Sequence, residues 1–274
     1  MSSAKGSWEL PISEGELSRL TGELDEAHQE YLPRMQAAAA DLGQELRDTG
    51  AVRESRFASR RGFLLGAGGV AAALTLAACS SSTKTTAGAS PSGSAMSPSG
   101  SPSASSLYTG DLQVVALATA LENQAVGAYG AALAAAKAGK LGSVPPAVAT
   151  FATTAMSQHT DHAKAWNAVL TGAGKPAITG VPLSNQPATL KALGAVTNVG
   201  GVAQLALELE NQAAQTYLFA TYNVTSAGGI ATAASIAPVE AMHAAILNFV
   251  LGQYPVPDDF LPVDKAASPT LLTI

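Results

Sequence analysis

The five residues Leu-Glu-Asn-Gln-Ala occur twice in the chain, at 121–125 and again at 209–213. In each copy a tyrosine follows seven residues after the glutamate, at Tyr129 and Tyr217. Seven residues make about two turns of an α-helix, so each glutamate shares a helix face with its tyrosine. The repeat therefore predicts two equivalent helices, and it constrains the fold more than any other feature of the chain.

A pair of metal-ligating residue types follows each copy of the repeat at a spacing of three. The pair is His159 and His162 in the first half, and Glu240 and His243 in the second. Residues three apart lie on one helix face. A single pair of this kind is weak evidence for a metal site, but its recurrence in register with the repeated glutamates favours one.

The apolar periodicity between about 107 and 265 is helical, with few strand-like runs. Glycines and prolines divide this region into four long helices and a short fifth one, expected at 109–138, 145–170, 188–195, 199–224 and 229–251. Two long helices, a long crossover and two more long helices predict an all-α fold, a four-helix bundle with one long connection. We expect the two tyrosines mainly to pack in its core.

Charge is scarce beyond Cys79, the only cysteine, and all seven arginines precede it. An arginine-free region with more acidic than basic residues lacks the basic surface that phosphates require, which excludes nucleic acid as a partner. One cysteine excludes an intramolecular disulfide framework and a multi-cysteine metal site. We find no apolar run of the roughly 20 residues that a membrane-spanning helix needs.

Three of the nine acidic residues beyond Cys79, and all three histidines there, fall at corresponding positions of the repeat. A glutamate within an Ala, Leu and Val helix is costly to bury unless it is paired or binds a cation. Carboxylates and imidazoles are ligands that iron, manganese or zinc accept, and four helices carrying them in this pattern form a carboxylate di-metal bundle. The predicted metal ligands are Glu122, His159, His162, Glu210, Glu240 and His243. The alternative is a metal-free bundle in which these groups pair with one another.

On these residues, and on the stretches 239–245 and 251–257, the region resembles the ferritin-like superfamily, in particular bacterial secreted proteins with a ferritin-like domain. The resemblance implies that Glu122 and Glu210 are terminal ligands and that Glu240 bridges two ions of iron or manganese. It further implies that His162 and His243 each bind one ion.

At His159 the family pattern has a second bridging glutamate instead. Three carboxylates neutralise less of the charge of two metal ions, so a mononuclear or asymmetric site is an alternative to the ferroxidase chemistry of well-formed di-iron sites. The resemblance leaves open metal oxidation, sequestration, delivery to an uptake system, or peroxide handling as in manganese catalases. The alternative is a metal-free surface module that serves stability, stress tolerance or partner binding.

Residues 59–79 have the order of an export signal. Arg60 and Arg61 precede 17 uncharged residues, 62–78, which end at Cys79. This segment resembles a twin-arginine signal with a bacterial lipobox. The resemblance implies export of the folded protein by the twin-arginine machinery, lipidation of Cys79, and anchoring to the outer face of the cell membrane. The alternative is a short buried helix with a free thiol.

The remaining segments flank this signal and the bundle. Residues 1–58 contain a helix with a capping-box start, which Pro33 should kink or break. They are either a genuine extension removed with the signal or a misassigned start, so we expect His28 to play no part in the mature protein. Residues 80–106 are a Ser, Pro and Gly linker expected to stay disordered. The bundle ends near 265, a tail follows at 266–274, and a homodimer is compatible with this layout.

Overall fold

The computed structural model describes residues 8–48, 107–257 and 261–274. These residues form six α-helices and one short 3-10 helix, and the fold is all-α. The helices are α1 (Glu14–Asp48), α2 (Asp111–Lys137), α3 (Pro146–Gly172), α4 (Gln186–Ala195), α5 (Val199–Asn223) and α6 (Ala227–Val250), with the 3-10 helix at Pro269–Leu271. The predicted bounds of α2 to α6 agree with these to within two residues.

Local signals in the sequence explain where the bundle helices begin and end. The side chains of Asn198 and Ser226 cap α5 and α6 by accepting the backbone N–H of the residue three positions on, at 2.8 and 3.2 Å. Gly139 and Gly252 follow α2 and α6 with φ values of 70° and 71°. Because most other residues avoid this left-handed region, glycine is suited to stop each helix there.

The bundle consists of two hairpins joined by the predicted crossover. α2 packs on α3, α5 packs on α6, and α2 contacts α5. The crossover, residues 173–198, includes α4. Residues 266–274, which we assigned to a tail, lie against it: the N–H of Ser184 donates to the carbonyl of Leu271, and the N–H of Thr273 donates to the carbonyl of Pro182.

The N-terminal helix α1 packs against α3 and α6 of the bundle. Pro33 lies inside this single helix and does not interrupt it, so the expected break is wrong. An internal proline costs a helix about 3 kcal/mol. Pro33 faces solvent, while Leu24 and Met35 on either side are almost fully buried. Burial of this face against the bundle offsets the cost of the proline.

Helix α6 corrects the expectation of no membrane-length apolar segment. Among the described helices it alone is long and apolar enough to cross a membrane, judged by length and composition. However, half of its most apolar window is buried inside the protein, and it carries Glu240 and His243. A core helix of a bundle has these properties as well.

The apolar core is divided along the bundle axis by a polar layer. Of the three clusters of buried apolar side chains in the described residues, one includes Met35, Trp166 and Ile236, and a second includes Leu24 and Leu247. Every long helix, α1 included, carries buried polar residues between these two clusters: Glu122, His159, His162, Glu210, Glu240, His243 and, on α1, His28. This layer is the candidate functional site.

Candidate metal centre

The structure brings all six predicted ligands together in the polar layer. Each side chain is at most 1% exposed to solvent. Helices α2 and α5 contribute one glutamate each, and α3 and α6 contribute the two pairs, as the repeat predicts. The lipidation and export residues Cys79, Arg60 and Arg61, like the segments 59–79 and 80–106, lie outside the described residues.

The six side chains form two groups of four, and in each group one donor atom per residue lies within 4.8 Å of the others. Both groups contain His159 and Glu240. The other members are Glu122 and His162 in one group and Glu210 and His243 in the second. We call each group a half-site, and the two shared residues lie between the half-sites. The buried glutamates and histidines are therefore able to bind two metal ions.

His159 spans the two halves with both of its ring nitrogens. Its Nδ1 lies 2.7 Å from Oε2 of Glu122, and its Nε2 lies 3.1 Å from Oε1 of Glu210. Its Nδ1 also lies 3.7 Å from Oε1 of Glu240. His159 therefore lies close to all three glutamates of the layer.

Buried atoms of His162 and Glu240 that lack hydrogen-bond partners are consistent with a bound metal ion. Nδ1 of His162 lies 2.9 Å from Oε1 of Glu240, yet neither atom makes a hydrogen bond within the described part of the chain. Buried polar atoms normally have a hydrogen-bond partner, and a bound ion can take the place of that partner where it is missing. These two atoms are close enough to form an ion pair when His162 is protonated, and to hold one metal ion when it is not.

The repeat tyrosines connect the two halves. Tyr129 Oη donates to the carboxylate of Glu210, and Tyr217 Oη donates to that of Glu122. Each tyrosine therefore reaches the glutamate of the other copy, which requires α2 and α5 to run antiparallel. The expectation that the tyrosines mainly pack is incomplete, because their buried hydroxyls also fix both terminal carboxylates. Trp166 Nε1 donates to Tyr217 Oη at 2.9 Å, so only one of the two tyrosines has this further donor.

Gln158 is a site residue that was not predicted from the sequence. Its amide nitrogen lies 3.3 Å from Oδ1 of Asp25 on α1, and its Oε1 lies 2.8 Å from Nε2 of His243. Since the amide oxygen can only accept, Nε2 of His243 carries a proton, and Nδ1 is the nitrogen available to a metal. Val239 stands at the equivalent position of the other half, so the repeat could not reveal this glutamine.

His28 of α1 is the second site residue that was not predicted. It is 4% exposed, and its ring centroid lies 5.2 Å from that of His162 in an edge-to-face contact. Its Nε2 lies 3.7 Å from Oδ2 of Asp161. Burial and the neighbouring histidines lower the pKa of His28 to about 4, which keeps the ring neutral at pH 7. Its place on the buried face of α1 was a usable signal, but the docking of α1 was not evident from sequence.

The electrostatics of the layer balance without a metal. Burial disfavours both charged forms, but mutual attraction outweighs it: the positive His162 helps lower the pKa of Glu122 to about 2, and Glu122 and Glu240 raise that of His162 to about 9. The pKa of Glu210 is likewise lowered, and those of His159 and His243 are raised. A metal ion must therefore displace protons from the histidines.

One comparison with known proteins finds a match, and this match includes the whole helical bundle. A family model described as a ferritin-like domain matches residues 110–253, just over half of the chain. The match includes α2 to α6 and all six predicted ligands. No curated protein and no solved structure matches the chain.

Proposed function

The chain belongs to the ferritin-like domain family, and on that premise we propose that it binds a pair of iron or manganese ions in the polar layer of its bundle. The observation that carries the proposal is the pair of overlapping four-residue donor groups, all buried. Both metals accept mixed carboxylate and imidazole ligands. A second support is the unsatisfied pair of atoms on His162 and Glu240.

The residues divide between two ions. Glu122 and His162 would hold one ion and Glu210 and His243 the other, with Glu240 and His159 between them. When bound, such ions supply Lewis acidity and redox chemistry toward water, dioxygen or peroxide. The chain's own part is to orient the terminal carboxylates through the two tyrosines and to exclude water with the two apolar clusters.

An apolar pocket favours small oxidants over charged organic substrates. The pocket has a cavity volume of about 50 Å³, lies at one end of the bundle and is lined mainly by residues of α2, α3, α5 and α6. Two of its lining residues, Tyr129 and Phe151, also touch the site: the Tyr129 ring stacks on His159, and the Phe151 ring meets His243 edge-on. We therefore favour metal oxidation with storage, or peroxide handling, as the activity of this site.

A metal-free module is the second candidate. It is favoured by the charge balance of the layer, in which three carboxylates lie against three imidazoles. His159 bonds to Glu122 and Glu210, and Nδ1 of His243 lies 3.1 Å from Oε2 of Glu240. In such a cluster the carboxylates and imidazoles pair with one another, and the bundle would then serve stability or partner binding.

Metal content per chain separates the two candidates. The full chain is purified without an affinity metal, and bound metals are measured by mass spectrometry for wild type, Glu122→Gln and His243→Ala. Glu208→Ala is the matched control, because Glu208 is exposed on α5 two residues from Glu210. We expect about two ions in wild type and control and fewer in both site variants. Trace metal that is equal in all four proteins would establish the metal-free module. Consumption of dioxygen or peroxide then separates an enzyme from a store.

We further propose that the protein is exported by the twin-arginine machinery and anchored to the outer face of the membrane through Cys79. The order of the paired arginines, the apolar stretch and the cysteine supports this location. Cys79→Ala should release the protein from the membrane fraction, and membrane association that persists in this variant contradicts the lipid anchor.

A further inference from the structure

We propose that α1 supplies two positioning residues, Asp25 and His28, to the metal centre, so that docking of α1 and binding of metal strengthen each other. This inference rests on the proposed function. Asp25 and His28 are three residues apart and therefore share one face of α1. That face meets α3 at the level of the polar layer.

Asp25 acts on His243 through Gln158. The carboxylate of Asp25 accepts the amide N–H of Gln158, which turns the amide oxygen toward Nε2 of His243. Histidine ligands are usually held in this way by an outer hydrogen-bond partner that fixes the tautomer and the ring orientation. Without Asp25, the amide of Gln158 is free to rotate and can present its N–H groups to the ring instead.

His28 lies at the corresponding place beside His162. At the position equivalent to Gln158 the bundle carries Val239, which cannot form a hydrogen bond with His162. Within the described residues, Nε2 of His162 and Nε2 of His28 are both buried and without a hydrogen-bond partner. The edge-to-face contact holds the two rings against each other. Thus α1 contacts a ligand of one half-site directly, through His28 and His162, and a ligand of the other indirectly, through Gln158 and His243.

The register of α1 on α3 is set at points far from the site. Oε2 of Glu14 accepts the N–H of Ala147 at 3.3 Å, and this pair has the same sequence separation, 133 residues, as Asp25 and Gln158. The constant separation shows that α1 runs parallel to α3. At the other end, Arg47 donates to the carbonyl of Gly172. These contacts bring Asp25 and His28 to the level of the ligands.

Coupling of this kind is reciprocal: if docked α1 raises metal affinity, bound metal must stabilise docked α1 by the same free energy. Cleavage at Cys79, where it occurs, would break the covalent connection between α1 and the bundle, so that only the packed face and the bound metal would hold α1 in place. The inference therefore places metal uptake most favourably in the precursor, in which α1 is still covalently attached.

The first test is Mn²⁺ affinity of the full chain, measured by equilibrium dialysis. Asp25→Ala and His28→Phe should each weaken binding by roughly 10- to 100-fold, the usual effect of removing an outer partner of a metal ligand. The matched controls are Glu26→Ala and Gln29→Phe, which alter exposed neighbours on the same helix. Asp25→Asn keeps both the shape and an acceptor for Gln158 and should stay close to wild type. Asp25→Leu keeps a similar volume without an acceptor and should weaken binding as Asp25→Ala does, whereas a purely packing role would leave Asp25→Leu close to wild type.

The second test is amide hydrogen exchange of α1 with and without Mn²⁺. We expect Mn²⁺ to slow exchange in α1 of the wild type and not in the Asp25→Ala, His28→Phe double variant. Mn²⁺ binding with unchanged affinity in both single variants, or without protection of α1, overturns the inference and leaves the proposed function standing. A wild-type chain that binds neither Mn²⁺ nor Fe²⁺ overturns both.

Discussion

At the scale of single residues, the two tyrosine hydroxyls have the same role but different surroundings. Tyr217 Oη accepts from Trp166 while it donates to Glu122. Tyr129 Oη donates to Glu210, and within the described residues no hydrogen bond to Tyr129 Oη from a tryptophan is seen. Loss of the Tyr217 hydroxyl leaves the buried indole N–H of Trp166 without its acceptor. Loss of the Tyr129 hydroxyl leaves no such donor without an acceptor among the described residues.

We therefore predict that Tyr217→Phe destabilises the metal-free chain more than Tyr129→Phe does. A buried donor left without a partner costs about 1–3 kcal/mol, and the lost hydrogen bond to the carboxylate adds to both variants. Urea unfolding of the two variants in the presence of a chelator measures the difference. Equal losses of stability would show that the Trp166 bond contributes nothing.

The shifted pKa values predict how stability of the metal-free chain depends on pH. The pKa of Glu122 is lowered from 4.5 to about 2, so its contribution is present above pH 4.5 and is lost as the pH falls through 2. The pKa of His162 is raised from 6.5 to about 9, so its contribution is present below pH 6.5 and is lost as the pH rises through 9. Stability of the chelated chain should be greatest between pH 4.5 and 6.5, and Glu122→Gln should flatten the acid side. An acid side that is unchanged in Glu122→Gln contradicts this assignment.

Above pH 6.5 the affinity for metal should change with pH in the opposite direction to the stability of the metal-free chain. An ion at Nδ1 of His162 must displace a proton whose pKa is about 9. Mn²⁺ affinity should therefore increase as the pH rises from 6.5 toward 9, while the metal-free chain loses stability. Calorimetry in buffers of different ionisation enthalpy will count the protons released. Binding without proton release at pH 7 would mean that the histidines are not ligands.

At the scale of elements, periodicity and the signals at the helix ends were enough to predict the bundle helices. They did not predict that α1 packs against the bundle. Helices α2 to α6 begin and end at local signals such as Asn198 and Gly252. The docking of α1 depends on partners more than a hundred residues away, such as Ala147 and Gly172, which no local pattern identifies. For the same reason the six ligands were predictable from the repeat, whereas Gln158 and His28, which have no repeat equivalents, were not.

Close packing of α1 on α3 at Gly43 provides a test of the element as a whole. A Cβ atom at Gly43 would lie 3.4 Å from Cα of Gly172, so a larger side chain must push the helices apart. Gly43→Leu should cost about 1–3 kcal/mol through overpacking, and it should weaken Mn²⁺ binding although it lies about 22 Å along the helix from His28. Gly22→Leu is the control, because nothing lies within 4 Å of that position. Equal Mn²⁺ affinity in the two variants would separate α1 docking from the metal centre.

At the scale of the whole molecule, α1 completes a core that the family match leaves out. Residues 110–253 cover the four bundle helices and the crossover, but both apolar clusters continue into α1. Leu17, Leu24 and Leu42 are at most 1% exposed. The apolar surface of α3 and α6 beneath these leucines is covered only while α1 is docked. Helix α1 is therefore part of the packed core of the described molecule.

This arrangement predicts that a cut in the segment between α1 and α2 leaves α1 bound. Full burial of a leucine side chain contributes about 1.5–3 kcal/mol, and α1 buries three of them together with Met35. A protease site placed within residues 49–106 should yield two fragments that co-elute in size-exclusion chromatography at micromolar concentration. Added Mn²⁺ should slow their separation on dilution, because metal and α1 stabilise each other. Gly43→Leu, cut in the same way, should release α1. Fragments that separate in the wild type would mean that the covalent connection, and not the packed face, keeps α1 on the bundle.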